Sequence, residues 1–265
     1  DQPLPEGEWV ALMPGSKRAK LQVGMPFLLD TADRLARLHP GCRFLLPVAP
    51  TTSVRELLAY AGPSNPIAAF YAAGEPELLQ GLEGVELRTP AGTRIHLVEQ
   101  QPAHGVLSQC RLALATVGAN TAELGALGVP MIVLVPTQHL HVMQAWDGLA
   151  GLVGRLPLLR WFFGVLLTLW RLRHRGFLAS PNIAAGRMLV PERVGAITPA
   201  AIAAEAADWL AAPERLEGMR ADLRSLRGQP GAVASLATLV QELLPPELML
   251  PGSMPPEPMS PGRNA

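Results

Sequence analysis

Three observations predict an α/β fold in which a parallel sheet is covered by helices on both faces. Short apolar runs recur along the first two-thirds of the 265-residue chain, and segments with helical spacing separate them. The runs are continuously apolar rather than alternating, as strands buried on both faces must be, and a helix between successive strands makes them parallel. With 49% apolar residues the chain can bury the core of one large domain or two small ones.

The elements follow in order. "EWVALMPG" (Glu8–Gly15) reads as a strand ending in a glycine turn. A helix is expected to open near Pro26, with Leu28, Ala32, Leu35 and Leu38 at helical spacing. "RFLLPV" (Arg43–Val48) is a second strand, and "SVRELLAYAG" is a short helix closed by Gly62. "RIHLVE" (Arg94–Glu99), "RLALAT" (Arg111–Thr116) and "VPMIVLV" (Val129–Val135) are further buried strands, with the glycine-bounded helix "GANTAELGALG" between the last two. Ligands in such folds bind where loops leave the carboxyl ends of the strands. From Ala200 to Leu244 come three helical patterns, with Pro199 and Pro213 at starts and Gly228 at a stop. Seven prolines then fall in residues 245–265, which read as a disordered tail. The expected organisation is one domain over 1–244, with an insertion at 139–176, followed by that tail.

Charge and cysteine content narrow the function. Lys plus Arg and Asp plus Glu both number 22, so the net charge is zero and a general nucleic-acid role is not expected. Cys42 and Cys110 stand far apart, which suggests neither a disulfide framework nor a zinc site and fits a reducing compartment. The first residue is Asp, and the chain is expected to be part of a longer protein.

One segment breaks the neutral pattern. Between Gly148 and Pro191 there is no Asp or Glu, yet there are six arginines. Within it "WFFGVLLTLW" (Trp161–Trp170) is uncharged, and too short to span a bilayer, which needs roughly 20 residues. On a helix, Arg160, Gly164, Thr168, Arg171 and Arg175 share one stripe, and leucines, phenylalanines and Trp170 cover most of the rest. A wide apolar face edged with arginine describes a helix over 155–175 lying in a membrane interface. A buried helix packing on another domain or subunit is the other reading.

Two loops carry candidate chemistry. In "MPGSKRAK" (Met13–Lys20), Gly15 and Ser16 offer backbone amides and a hydroxyl near a helix start, beside Lys17, Arg18 and Lys20. That combination suits a phosphate or a developing negative charge, although an ordinary turn with solvated lysines has the same composition. The spacing is not that of a Walker loop. In "TVGANTAELGALGVP" (Thr116–Pro130), Gly118 lets the backbone come close to a ligand, and Thr121 and Glu123 are expected in the first turn of a helix. A carboxylate there complements the helix dipole and can accept two ribose hydroxyls; it can equally be a plain helix-start acid. A third stretch, "SPNIAAGR" (Ser180–Arg187), sets an amide and a guanidinium around small residues. His139 and His141 could bind a metal, but no third ligand accompanies them and none is expected. No GxSxG or triad pattern is present.

The order of these motifs resembles that of the lipid-A-disaccharide synthases. Their pattern is a "PGSR"-type loop, a "SGTATLE"-type helix start, "PMVV", then "SLPNLLAGR" and "VPE"; here "SPNIAAGRMLVPE" (Ser180–Glu192) is the most specific match. The similarity runs from Trp9 to about Leu244 and is to the C-terminal, nucleotide-sugar-binding half of that family. The resemblance implies a Rossmann-like domain, the C-terminal one of a GT-B glycosyltransferase, and transfer of a hexosyl group from a UDP-sugar donor to a lipid-linked acceptor. It implies catalytic roles for Arg187, Asn182 and Lys17, and nucleotide-binding roles for Gly15, Ser16, Gly118, Thr121, Glu123 and Gly186. No metal cofactor is implied. The acceptor site and general base would lie on an N-terminal domain outside this chain, so that the isolated chain would not turn over. A homodimer is a further implied partner, and the cytoplasmic, inner face of a membrane the implied place. Departures are Lys17 for arginine, Lys20 for the acid that follows, and "VGANT" for "SGTAT", with Val117 losing a hydroxyl. They mark a divergent branch, and leave open a membrane-surface interaction protein without catalysis or, with less support, a UDP-sugar 2-epimerase.

Overall fold

Strand β1 (Glu8–Met13) is buried on both sides. Val10 and Leu12 face one core, and Trp9, Ala11 and Met13 the other, which is why the run reads as continuously apolar. The computed structural model describes residues 3–72, 74–81, 84–138 and 176–226, which lie within the unit Asp1–Leu226. The expected insertion (apart from Gly176), the third C-terminal helical pattern and the proline-rich tail lie outside the described residues.

After β1 come α1 (Arg18–Leu38), β2 (Cys42–Pro47), α2 (Val54–Ala61) and a 3-10 turn at Ala68–Phe70. Then follow β3 (Glu77–Gly81), β4 (Gly84–Arg88), β5 (Arg94–Val98), α3 (His104–Leu107), β6 (Leu112–Thr116), α4 (Ala119–Leu127) and β7 (Met131–Pro136). The described chain closes with α5 (Ser180–Ala185), β8 (Glu192–Gly195), α6 (Pro199–Leu210) and α7 (Pro213–Ser225). The strands form one sheet in the order β3-β4-β5-β2-β1-β6-β7-β8. From β5 to β8 every neighbouring pair is parallel, as expected; β3 and β4 add an antiparallel edge.

That edge was not legible in the sequence. Strand β3 is largely exposed and has no apolar face to reveal it, and a cross-strand ion pair of Arg88 with Glu77 at 2.6 Å is part of what holds it to β4.

Helices α1 and α6 cover one face of the sheet together with α2, and α3 and α4 the other. Helix α7 reaches both cores, through Leu216 on one side and Met219 and Leu223 on the other. Each fully buried leucine or phenylalanine of this kind is worth roughly 1.5–3 kcal/mol over its exposed state.

The start of α1 differs from the expectation. Pro26 does not open the helix but lies inside it, and the helix begins at Arg18. A proline in mid-helix lacks the N–H that would bond the carbonyl four residues earlier, here that of Gln22. Asn65, buried at 5% exposure, replaces it: its Nδ2 donates to Gln22 O at 2.7 Å and to Tyr60 O at 2.6 Å. Gly24 serves the same helix, because a Cβ there would stand 2.8 Å from Pro14 O. Gly62 closes α2 and Pro199 and Pro213 start α6 and α7, as expected, whereas the expected stop at Gly228 lies outside the described residues. Ser53 and Glu56 form a capping box on α2, and Thr198 caps α6 with Pro199 at its first residue.

Candidate crevice at the ends of β1 and β6

Chain order reverses direction across the sheet between β1 and β6. From β1 the chain winds to β2 on one side, and the later half of the fold builds outward from β6 on the other. At such a reversal the loops leaving the carboxyl ends of the two strands diverge and open a crevice. Both candidate loops stand there. Gly15, Ser16 and Lys17 follow β1, and Gly118, Thr121 and Glu123 follow β6.

Each loop feeds a helix whose N-terminus has no side-chain cap and no acid in its first turn. Unmatched N–H groups and the helix dipole make both ends favourable to an anion. The loops are tied together: Thr116 Oγ1 and Asn120 Nδ2 both donate to Met13 O at 3.4 Å. Lys20 adds a third tie, donating from Nζ to Val117 O at 2.5 Å.

The glycines have a specific neighbour. Gly15 (φ +96°) and Gly118 (φ +153°) adopt conformations that disfavour a side chain. A Cβ on Gly15 would lie 2.9 Å from Lys20 Cδ, and one on Gly118 only 2.5 Å from Lys20 Nζ. The space over both backbones, read in the sequence as room for a ligand, is occupied by Lys20. Burial first, and then the charge of Lys17, hold the Lys20 ammonium below its usual pKa.

The remaining predicted residues are placed as follows. Thr121 is fully buried; its Oγ1 donates to Gly118 O at 2.8 Å and accepts from Ser180 N at 3.2 Å, joining α4 to the start of α5. Glu123 stands one turn later than expected. It is the fifth residue of α4, outside the first turn, so the dipole argument for its carboxylate is weakened. It is half-buried, and its Oε1 lies 3.1 Å from His104 Nε2.

Asn182 departs from its expected role. It is fully buried, and its amide is used internally: Nδ2 donates to Val190 O at 2.9 Å and Glu192 Oε1 at 2.8 Å. Its Oδ1 accepts from Leu189 N at 2.7 Å and Val190 N at 2.9 Å. Glu192 in turn accepts from the amides of Leu178 and Ala179. Asn182 is therefore the brace of the "SPNIAAGRMLVPE" unit and presents no amide to a ligand. Gly186 ends α5 in the left-handed region (φ +65°), which turns the chain out to Arg187. Arg187 is 62% exposed and pairs with Asp222 on α7 at 3.3 Å.

The structure thus gathers Gly15, Gly118 and Lys20, with Thr121 beneath them. It does not bring the Asn182 amide into that group. Lys20 was read only as one charge among several, because nothing local shows that its stem passes between two glycines far apart in sequence. His139 and His141 lie outside the described residues, and among the described residues no group of three or more His, Cys, Asp or Glu is placed to hold a metal. No helix among them is long and apolar enough to cross a membrane.

No protein-family profile matches the chain. Curated proteins do. The lipid-A-disaccharide synthase of Pseudomonas aeruginosa (strain UCBPP-PA14) is 30% identical over 236 residues, 88% of this chain and 49% of that protein. That of Myxococcus xanthus is 28% identical over 242 residues, 89% of this chain and 49% of its own length. The chain is a relative of the lipid-A-disaccharide synthases. It spans about half the length of the curated synthases it matches. Among solved structures, a proposed UDP-N-acetylglucosamine 2-epimerase from Listeria monocytogenes covers 89% of this chain and 45% of its own, at TM-score 0.48 and 14% identity. The spinosyn forosaminyltransferase SpnP covers 89% and 44%, at 0.44 and 14%. Lys17 and Lys20 both fall at the crevice.

Proposed function

We propose that this chain is the donor-nucleotide half of a GT-B glycosyltransferase that moves a hexosyl group from a UDP-sugar to a lipid-linked acceptor. The observation that carries the reading is the crevice: two uncapped helix N-termini follow adjacent strand ends, with Gly15, Ser16 and Lys17 on one side and Gly118 on the other. Relatedness to the synthases over most of the chain supports it.

In an inverting transfer the acceptor oxygen attacks the anomeric carbon, and the bond from that carbon to the diphosphate oxygen breaks with its electron pair going to UDP. Charge therefore grows on the diphosphate. Helix amides, Lys17 and Arg187 can stabilise it without a metal. Glu123, beside His104, would accept the ribose hydroxyls. The base that takes the acceptor proton would belong to an N-terminal domain outside this chain. The apolar, arginine-edged segment over 155–175 would hold the enzyme at the cytoplasmic, inner face of a membrane, where anionic headgroups add about 1 kcal/mol per nearby arginine. A homodimer is compatible with this arrangement.

A second reading, a binding protein without turnover, is favoured by one observation: the Asn182 amide, expected at the diphosphate, is consumed inside its own loop. Calorimetric titration of the chain with UDP and UDP-GlcNAc, beside Glu123→Ala and Arg187→Ala and without added metal, tests the donor site. Saturable binding weakened about tenfold or more by Glu123→Ala is the expected result, from loss of charge-assisted hydrogen bonds. Absence of binding to the parent and to the full-length protein at millimolar nucleotide would remove the transferase reading. Binding by the full-length protein with no sugar transfer to lipid acceptors would leave the second.

A further inference from the structure

We propose that Lys20 is the anion-recognising group of the β1–β6 crevice: it clamps the two loops through Val117 O and passes that hydrogen bond to the diphosphate when a nucleotide binds. This rests on the nucleotide-binding reading above and adds to it a residue that reading does not use.

Three features meet at this side chain. The first is its path. The stem of Lys20 runs over Gly15, and its ammonium reaches Gly118, so the two glycines farthest from ordinary backbone geometry in these loops are the two that a Cβ would drive into Lys20. A small apolar hollow beside it is lined by Val23, Gly24, Thr116, Val117, Leu134 and Pro136. The second is the place of the charge. Gly118 is the N-cap of α4, and Lys20 itself lies in the first turn of α1, so the ammonium sits by two helix N-termini. A cation near the positive end of a helix is disfavoured, and an anion that touches both relieves the repulsion. The third is desolvation. The ammonium is partly withdrawn from water and has Lys17 nearby, which lowers its pKa. An anion that enters offsets the repulsion from the helix ends and from Lys17 and compensates the lost water, so binding strengthens with the negative charge of the ligand.

The expected selectivity is therefore UDP over UMP over uridine, with the discrimination residing in Lys20. The chain, Lys20→Gln, Lys20→Arg and the control Arg37→Gln, at the far end of α1, would be titrated with all three ligands by calorimetry. Lys20→Gln should weaken UDP about 10- to 100-fold, the worth of a hydrogen bond to a charged group, and change uridine by less than about threefold. Lys20→Arg should recover part of the loss, and Arg37→Gln should match the parent. UDP binding by a folded Lys20→Gln within about threefold of the parent would overturn the proposal and leave the nucleotide reading standing. A parent that binds none of the three at millimolar concentration, with its circular dichroism intact, would sink both. Acetylation of Lys20 in the parent, followed by mass spectrometry, gives a test free of any substitution: UDP should slow it several-fold while uridine does not, and equal rates count against the role.

Discussion

Asn182 does not take the role that its residue type and neighbours suggest. An asparagine beside alanines and a glycine reads as a ligand amide, whereas here it is fully buried and four hydrogen bonds join it to Leu189, Val190 and Glu192. Asn182→Ala should therefore cost about 3 kcal/mol of stability, because it leaves buried amides and a carboxylate without their partner. Urea denaturation measures this directly. A variant as stable as the parent but unable to bind nucleotide would restore the ligand role. Lys20 has no motif to mark it, and only the approach of two loops far apart in sequence gives its ammonium a site.

At the scale of the element, α1 shows how a local rule is overridden by a distant residue. Pro26 signals a helix start, and the helix instead begins at Arg18 because Asn65 supplies the missing donor to Gln22 O. The two residues should be coupled. Asn65→Ala alone is expected to cost about 2 kcal/mol or more, since the Gln22 and Tyr60 carbonyls lose their donor. In the Pro26→Ala background the loss should be smaller, because the substituted alanine brings its own N–H to Gln22 O. A double-mutant cycle in urea reads the difference, and strict additivity would mean that the two act separately. Strands β1, β6 and β7 are legible from sequence because burial on both faces leaves a nearly uninterrupted apolar run, and β2 and β5 because their buried residues still form short apolar runs. The β3–β4 edge is not, because a half-solvated strand carries charges that match a loop in composition.

Across the whole molecule, stability should fall from the centre of the sheet to that edge. Strands β1, β6 and β7 lie under helices on both sides, with Leu12, Leu114 and Ile132 at 0% exposure, whereas Leu78 on β3 is 47% exposed. Native-state hydrogen exchange should find the amides of Leu114 and Val133 opening only with global unfolding, and those of β3 opening far more readily. Uniform protection across the sheet would contradict this. The crevice lies at the stable end of that gradient, on the paired ends of β1 and β6, so its two helix N-termini are held by the most strongly buried strands of the fold.

The α/β class, most of the parallel strands, the helix starts at Pro199 and Pro213, the two glycine loops and the resemblance to a family all come from the residue order. Each of these is written in neighbouring residues, as a period, a cap or a turn. Folding in three dimensions was needed to place Pro26 within α1, to set Glu123 in the second turn of α4, to make Asn182 a brace, and to clear Gly15 and Gly118 for Lys20. Those outcomes depend on which distant groups share one buried space, and in a close-packed interior that is set by how the strands are ordered in the sheet.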